Sequence, residues 1–202
     1  MIRETGAPPP LFSRRSSGKP GRALESLKGA IERLRRAELE RLSAIAYASW
    51  LPFISLGMYL YSVTKIIAFA QFSWILGFVP YVWTVKLMRE KLWMRRSRKK
   101  YLFLIMAFIV SSVTFEYLQA LAVAIATSGF LLTVALTGKY DSRWIEVVTA
   151  IGLLVLTYIG SFFTDQWSAF TTSLLTTYSF AVLLHLIRGV YEVMPYVEVK
   201  KD

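Results

Sequence analysis

Between Lys100 and Lys139 lie 38 residues, 101–138, that carry a single charge, Glu116. At about 1.5 Å per residue, one helix of that length would measure about 57 Å, nearly twice a hydrocarbon core of about 30 Å. The segment is too apolar to be left in water and too long for one crossing, so it is expected to cross and return. A turn at residues 116–119 gives two arms, 101–117 and 120–138, short but sufficient to span. The triplet Thr127, Ser128, Gly129 has stronger turn chemistry. A turn there would leave nine residues for the return, so it is rejected. On the second arm, Ala120, Ala124 and Ser128 form a small-residue stripe suited to close helix contact.

The rest of the chain follows from this hairpin. Hydrophobic residues make up 55% of the sequence, and the apolar runs do not alternate as barrel strands would. The expected fold class is all-α: a polytopic integral membrane helical bundle of about six transmembrane helices, with an N-terminal amphipathic cytoplasmic helix. The spans fall at about 43–62, 66–85, 101–117, 120–138, 145–163 and 168–187, within a transmembrane domain of residues 43–188. Residues 1–21, rich in Pro, Gly, Ser and Arg, read as a disordered basic tail. Residues 22–42 read as an amphipathic cytoplasmic or interfacial helix, with Leu24, Leu27, Ile31 and Leu34 at helical spacing. No proline interrupts the chain between them and Pro52, so this helix is free to continue into the first span. Pro52 and Pro80 fall within spans one and two, where each bends its helix or frees a carbonyl. Residues 189–202 form a short cytoplasmic tail.

Charge sets the threading. With six spans, 23 of the 24 lysines and arginines fall on one side and only Lys65 on the other. That bias predicts a multi-pass cell (plasma) membrane protein with both termini cytoplasmic. It also accounts for the formal charge of +11 without nucleic acid as a partner. Arg33, Arg36, Arg95, Arg96, Arg98, Lys99 and Lys100 are the candidate contacts for anionic lipid head groups or an acidic partner. The expected partners are the lipid bilayer itself and a protein partner or a second copy of the chain. There is no cysteine and no asparagine, and there are only three glutamines. Depletion of these thermolabile residues points to a thermophilic source.

The inventory for chemistry is thin. There is no thiolate metal site, no phosphate loop and no pair of histidines, so the expectation is no enzyme, no cofactor and no metal. Glu116 is an acid within an apolar run, although the hairpin turn moves it to the interface. His185 is the single histidine and reads as a packed or interfacial residue. Thr172, Thr176 and Ser179 lie on one helical face and, with Glu116 and His185, form a candidate polar path. Trp83, Trp93, Trp144 and Trp167 read as interfacial, and Trp50 and Trp74 as deeper. The most economical function is a non-catalytic membrane-embedded subunit or scaffold of a larger complex; the alternative is a small-solute or ion transporter or channel.

Overall fold

The computed structural model describes residues 20–71, 76–77, 79–80, 83–84, 86, 99–137 and 143–198. The described residues are helix and short turn, with no strand among them. The chain divides into two compact units, residues 1–32 and 33–202. Helix α1 is Pro20–Ala48, α2 is Leu51–Thr64, α3 is Lys99–Thr137, α4 is Arg143–Gly160 and α5 is Gln166–Glu198. The described residues from 67 to 86 are also helical. The expected second span and the basic residues around Trp93 lie wholly or partly outside the described residues.

Four helical stretches are long and apolar enough to cross a membrane: Leu27–Thr64, Leu118–Leu136, Arg143–Gly160 and Gln166–Met194. A shorter apolar stretch, Ile105–Phe115, precedes the second of them. The first combines α1 and α2, which are separated only at Ser49 and Trp50. Pro52 lacks an N–H, so the ladder cannot close normally there. The Trp50 amide instead donates to the Tyr47 carbonyl at 3.1 Å, a tighter turn, and the Ser49 hydroxyl donates to the Ala46 carbonyl at 2.7 Å.

The long apolar segment doubles back. Gln119 has φ 34° and ψ −100°, which no helix accommodates. On either side the arms touch: the Ser111 hydroxyl donates to the Ala122 carbonyl at 2.8 Å, and a Cβ built on Gly129 would lie 2.3 Å from Ala107 Cβ. The rejected triplet at 127–129 sits inside continuous helix. Ala120, Ala124 and Ser128 are buried, and the Ser128 hydroxyl donates to the Ala150 carbonyl of α4 at 2.9 Å. Helix α3 packs on α4 and α5, α4 packs on α5, and α2 packs on α5.

Helix α5 is therefore the hub. Phe170, Leu174, Tyr178 and Ala181 from α5 pack with Tyr47, Trp50, Ile54, Leu131, Ile145 and Leu153 in the core. Four other buried hydroxyls are satisfied locally. Thr149, Thr171, Ser173 and Thr177 each donate to the carbonyl one turn earlier, at 2.7–2.9 Å. That is how a polar side chain enters an apolar bundle without a costly open donor. Trp50 is buried and Trp83 and Trp144 are exposed, while Trp74 and Trp93 lie outside the described residues. Trp167 is buried, with its ring edge-on to Phe170.

Candidate functional site: a buried Glu–His–Glu cluster and a second tether

The sequence reading leaves His185 a packed residue without companions. The structure gives it two. His185 Nδ1 lies 2.7 Å from Glu40 Oε2, across 145 residues of sequence. Its other ring nitrogen, Nε2, lies 3.7 Å from Glu146 Oε1. All three side chains are buried: His185 is 0% exposed, Glu146 2% and Glu40 4%.

Each residue is delivered by helix geometry. Glu40 shares a face of α1 with Ser43, Ala44 and Tyr47, one and two turns on, and all four are buried. Glu146 stands in the first turn of α4, as expected for an acid near a helix start. It is not the solvated residue that position implies, because it shares a stripe with buried Thr149, Ala150, Leu153 and Thr157. His185 sits one turn before Gly189. A Cβ on Gly189 would meet Glu40 Cβ at 3.4 Å and the Ala37 carbonyl oxygen at 3.6 Å. Both are ordinary contact distances, so α1 and α5 run close together at this point. Tyr47 stacks on His185, with centroids 5.6 Å apart and planes at 22°, and meets Tyr178 edge-on.

A proton must lie between Nδ1 and Glu40 at 2.7 Å: either the ring N–H donates to the carboxylate, or the carboxyl O–H donates to a neutral nitrogen. Nε2 makes no hydrogen bond. The two carboxylates face opposite ring nitrogens, so no single ion can touch all three groups. Among the described residues, no group of three or more His, Asp or Glu side chains is arranged to hold a metal.

At the far end of α5 a second tether joins α2 to the start of α5. The Tyr61 hydroxyl donates to Asp165 Oδ1 at 2.7 Å. Asp165 also caps α5, accepting from the Trp167 amide at 3.2 Å and from the Ser168 amide at 2.9 Å, and its Oδ2 accepts from the Ser168 hydroxyl at 2.6 Å. Burial alone would raise the Asp165 carboxyl; the donors from Ser168, Tyr61 and Trp167 outweigh it and hold the group below its ordinary value. Lys65, in the left-handed conformation at φ 58°, ends α2 and sets its ammonium 5.6 Å from the Tyr61 ring centroid.

The structure does not assemble the five-residue polar path. Thr172, Thr176 and Ser179 do share a face, but it is the exposed face of α5, not the buried one that carries His185. The Thr176 hydroxyl is spent on the Thr172 carbonyl at 2.9 Å. Thr176 and Ser179 border an open, mostly apolar groove between α4 and α5. Glu116 falls beside the hairpin turn, and its side chain lies outside the described residues. Of the basic candidates, Arg33 and Arg36 are exposed on α1; Arg95, Arg96 and Arg98 lie outside the described residues, as do the side chains of Lys99 and Lys100. No family model matches the chain, and no similar protein was found among curated proteins or solved structures.

Proposed function

We propose that this protein is a non-catalytic transporter of a small solute or ion, working by alternating access. The observation that carries the reading is the double tether of α1 and α2 to α5. His185 stands 20 residues beyond Asp165, about 30 Å along a helix, which is the thickness of a bilayer core. The Glu40–His185 contact thus closes one face and the Tyr61–Asp165 contact closes the other. Midway between Glu40 and Tyr61 the helix is interrupted at Ser49 and Trp50, just before Pro52. A rod jointed at its centre and latched at each end has the parts that alternate opening requires.

Six spans with both termini cytoplasmic complete the proposal. The Glu40–His185 latch then faces the cytoplasm, and the Tyr61–Asp165 latch the outside. The hairpin geometry and the lysine and arginine bias support that threading. A second reading, as a subunit of a membrane complex, is favoured by one feature of α1: Leu27, Ile31 and Leu34 are each more than half exposed. Such a stripe accommodates a partner helix.

The test has two arms. The chain is reconstituted alone in liposomes on a solid-supported membrane. It is then challenged with concentration jumps of sodium, potassium, amino acids and sugars, with and without a pH gradient. Transport predicts a saturable current that Tyr61→Phe alters. In parallel, the particle is extracted from native membranes in a mild detergent. A lone chain or homo-oligomer is expected. Foreign subunits in fixed stoichiometry, together with electrical silence across the panel, would replace the transporter reading with the subunit one.

A further inference from the structure

We infer that the core behind the Tyr61–Asp165 latch holds a binding site for a small uncharged polyol, with the Trp167 indole N–H and the Thr157 hydroxyl as its donors. The site itself stands on these two side chains. That its ligand is the transported solute rests on the transporter reading.

Trp167 is 4% exposed and Thr157 1%. Among the described residues, neither Trp167 Nε1 nor Thr157 Oγ1 has a hydrogen-bond partner. The neighbouring hydroxyls behave otherwise. Thr149 on α4, and Thr171, Ser173 and Thr177 on α5, each donate to the carbonyl one turn earlier. A buried indole N–H ordinarily finds an acceptor, and an open donor is costly where no water reaches. Phenylalanine would pack edge-on to Phe170 as Trp167 does, and valine has the shape of threonine. Either replacement would remove the open donor. Two donors kept open in one stretch of core are accounted for by an acceptor that arrives from outside.

Their placement gives access and chemistry. A Cβ on Gly160 would lie 3.1 Å from Ala169 Cβ, and one on Gly152 3.4 Å from Thr177 Cγ2. That antiparallel register sets Thr157 level with Thr172, which is about 7.5 Å along α5 from Trp167. The Trp167 amide donates to Asp165 Oδ1, the same atom that receives the Tyr61 hydroxyl. Tyr61, Trp167 and Phe170 belong to one packed cluster. A Tyr61 that leaves Asp165 therefore opens the end of the bundle beside the indole. The indole N–H donates and cannot accept, so it offers a cation nothing. The Asp165 carboxylate repels an anion at the same end, and Lys65 sets its charge on the exposed side, over the Tyr61 ring. An uncharged solute remains. A polyol carries an acceptor oxygen on each carbon, so one molecule can meet both separated donors.

The test is proton–nitrogen correlation spectroscopy of the full chain in lipid nanodiscs, with isotope-labelled tryptophan. Six indole resonances are expected, and Trp167→Phe identifies the one it removes. If that variant does not fold, phenylalanine at the other tryptophans in turn identifies it by elimination. Glycerol and glucose are the probes, and sodium acetate is the charged comparison. At least one polyol is expected to move the Trp167 resonance saturably downfield, as a hydrogen bond forms. Thr157→Val is expected to raise the half-saturating concentration roughly two- to tenfold, the worth of one neutral hydrogen bond. A Trp167 resonance that no polyol moves, that acetate alone moves, or that shows exchange with water only, overturns the inference. A half-saturating concentration unchanged in Thr157→Val overturns the role of the second donor. Uptake of the same polyols by proteoliposomes, followed by light scattering, separates the two readings. Uptake with an unmoved resonance would leave transport standing and remove the site. A moved resonance without uptake would do the reverse.

Discussion

The hairpin of α3 makes a sharp prediction about Gly129. A Cβ at that position would lie 2.3 Å from Ala107 Cβ, where ordinary carbon contact is about 3.5–4.0 Å. Ala107 cannot rotate away, since its Cβ is fixed to the backbone and its Cα is itself 3.6 Å from the added atom. Gly129→Ala must therefore push the two arms roughly 1.5 Å apart, from the contact distance just given. That movement breaks or stretches the 2.8 Å bond from Ser111 to the Ala122 carbonyl one turn away. Overpacking costs roughly 1–3 kcal/mol and the lost hydrogen bond about 1 kcal/mol more. Alanine's better helix propensity returns at most about 1 kcal/mol. The clash wins, so Gly129→Ala destabilises, by several degrees of Tm at about 2–4 °C per kcal/mol. Thermal unfolding in nanodiscs reads the shift, and Ala107→Gly/Gly129→Ala, which moves the methyl to the other arm, recovers most of it. If the arms are not in contact, propensity alone acts and Gly129→Ala raises Tm. That sign would refute the fold-back.

Three further perturbations probe the tethers and the joint. Gly77→Ala would place a Cβ 2.4 Å from the Trp50 ring, so it should cost roughly 1–3 kcal/mol and change Trp50 fluorescence; an unchanged spectrum and Tm would contradict the packing at the joint. His185→Leu leaves two buried carboxylates with no ring between them and should cost roughly 3–5 kcal/mol, whereas Glu40→Leu/His185→Leu should recover part of that loss; a single variant as stable as wild type would contradict the pairing. Asp165 has its carboxyl held below the ordinary 3.8, so its contribution is complete above that value and is lost as pH falls through the lower folded value. Acid-induced loosening of the Tyr61 end is therefore expected only below about pH 4, and Asp165→Asn should abolish its pH dependence; loosening already at neutral pH would contradict the tether.

The hairpin was readable because it rests on length and charge alone, which tertiary contacts do not alter. A cap such as Asp165 is legible for a similar reason, since a helix start is a local event. The Glu–His–Glu cluster was not. Glu40 looks like one more acid on a charged helix, and Glu146 like a favourable first-turn residue. The available signal was position. Each acid falls in helical register with residues that belong in a core: Glu40 with Tyr47, and Glu146 with Ala150 and Leu153. A carboxylate on a buried stripe needs a partner, and His185 was the one histidine in the chain. The pairing across 145 residues depends on which helices cross, and no local pattern encodes that. The span-six hydroxyls misled for the opposite reason: Thr172, Thr176 and Ser179 share a face, but helical spacing does not say whether that face turns inward.

The measurement closest to the central claim is a pair of spin-label distances. The chain has no cysteine, so introduced cysteines label without background. One pair, at exposed Arg41 and Leu186, reports the Glu40–His185 latch; the other, at exposed Ser62 and Phe162, reports the Tyr61–Asp165 latch. Measured by pulsed electron–electron resonance in nanodiscs, the first pair should lengthen in some solute conditions while the second stays short. Conditions that lengthen the second should find the first closed. Distances that are fixed at both ends, or that lengthen together, would contradict alternating access.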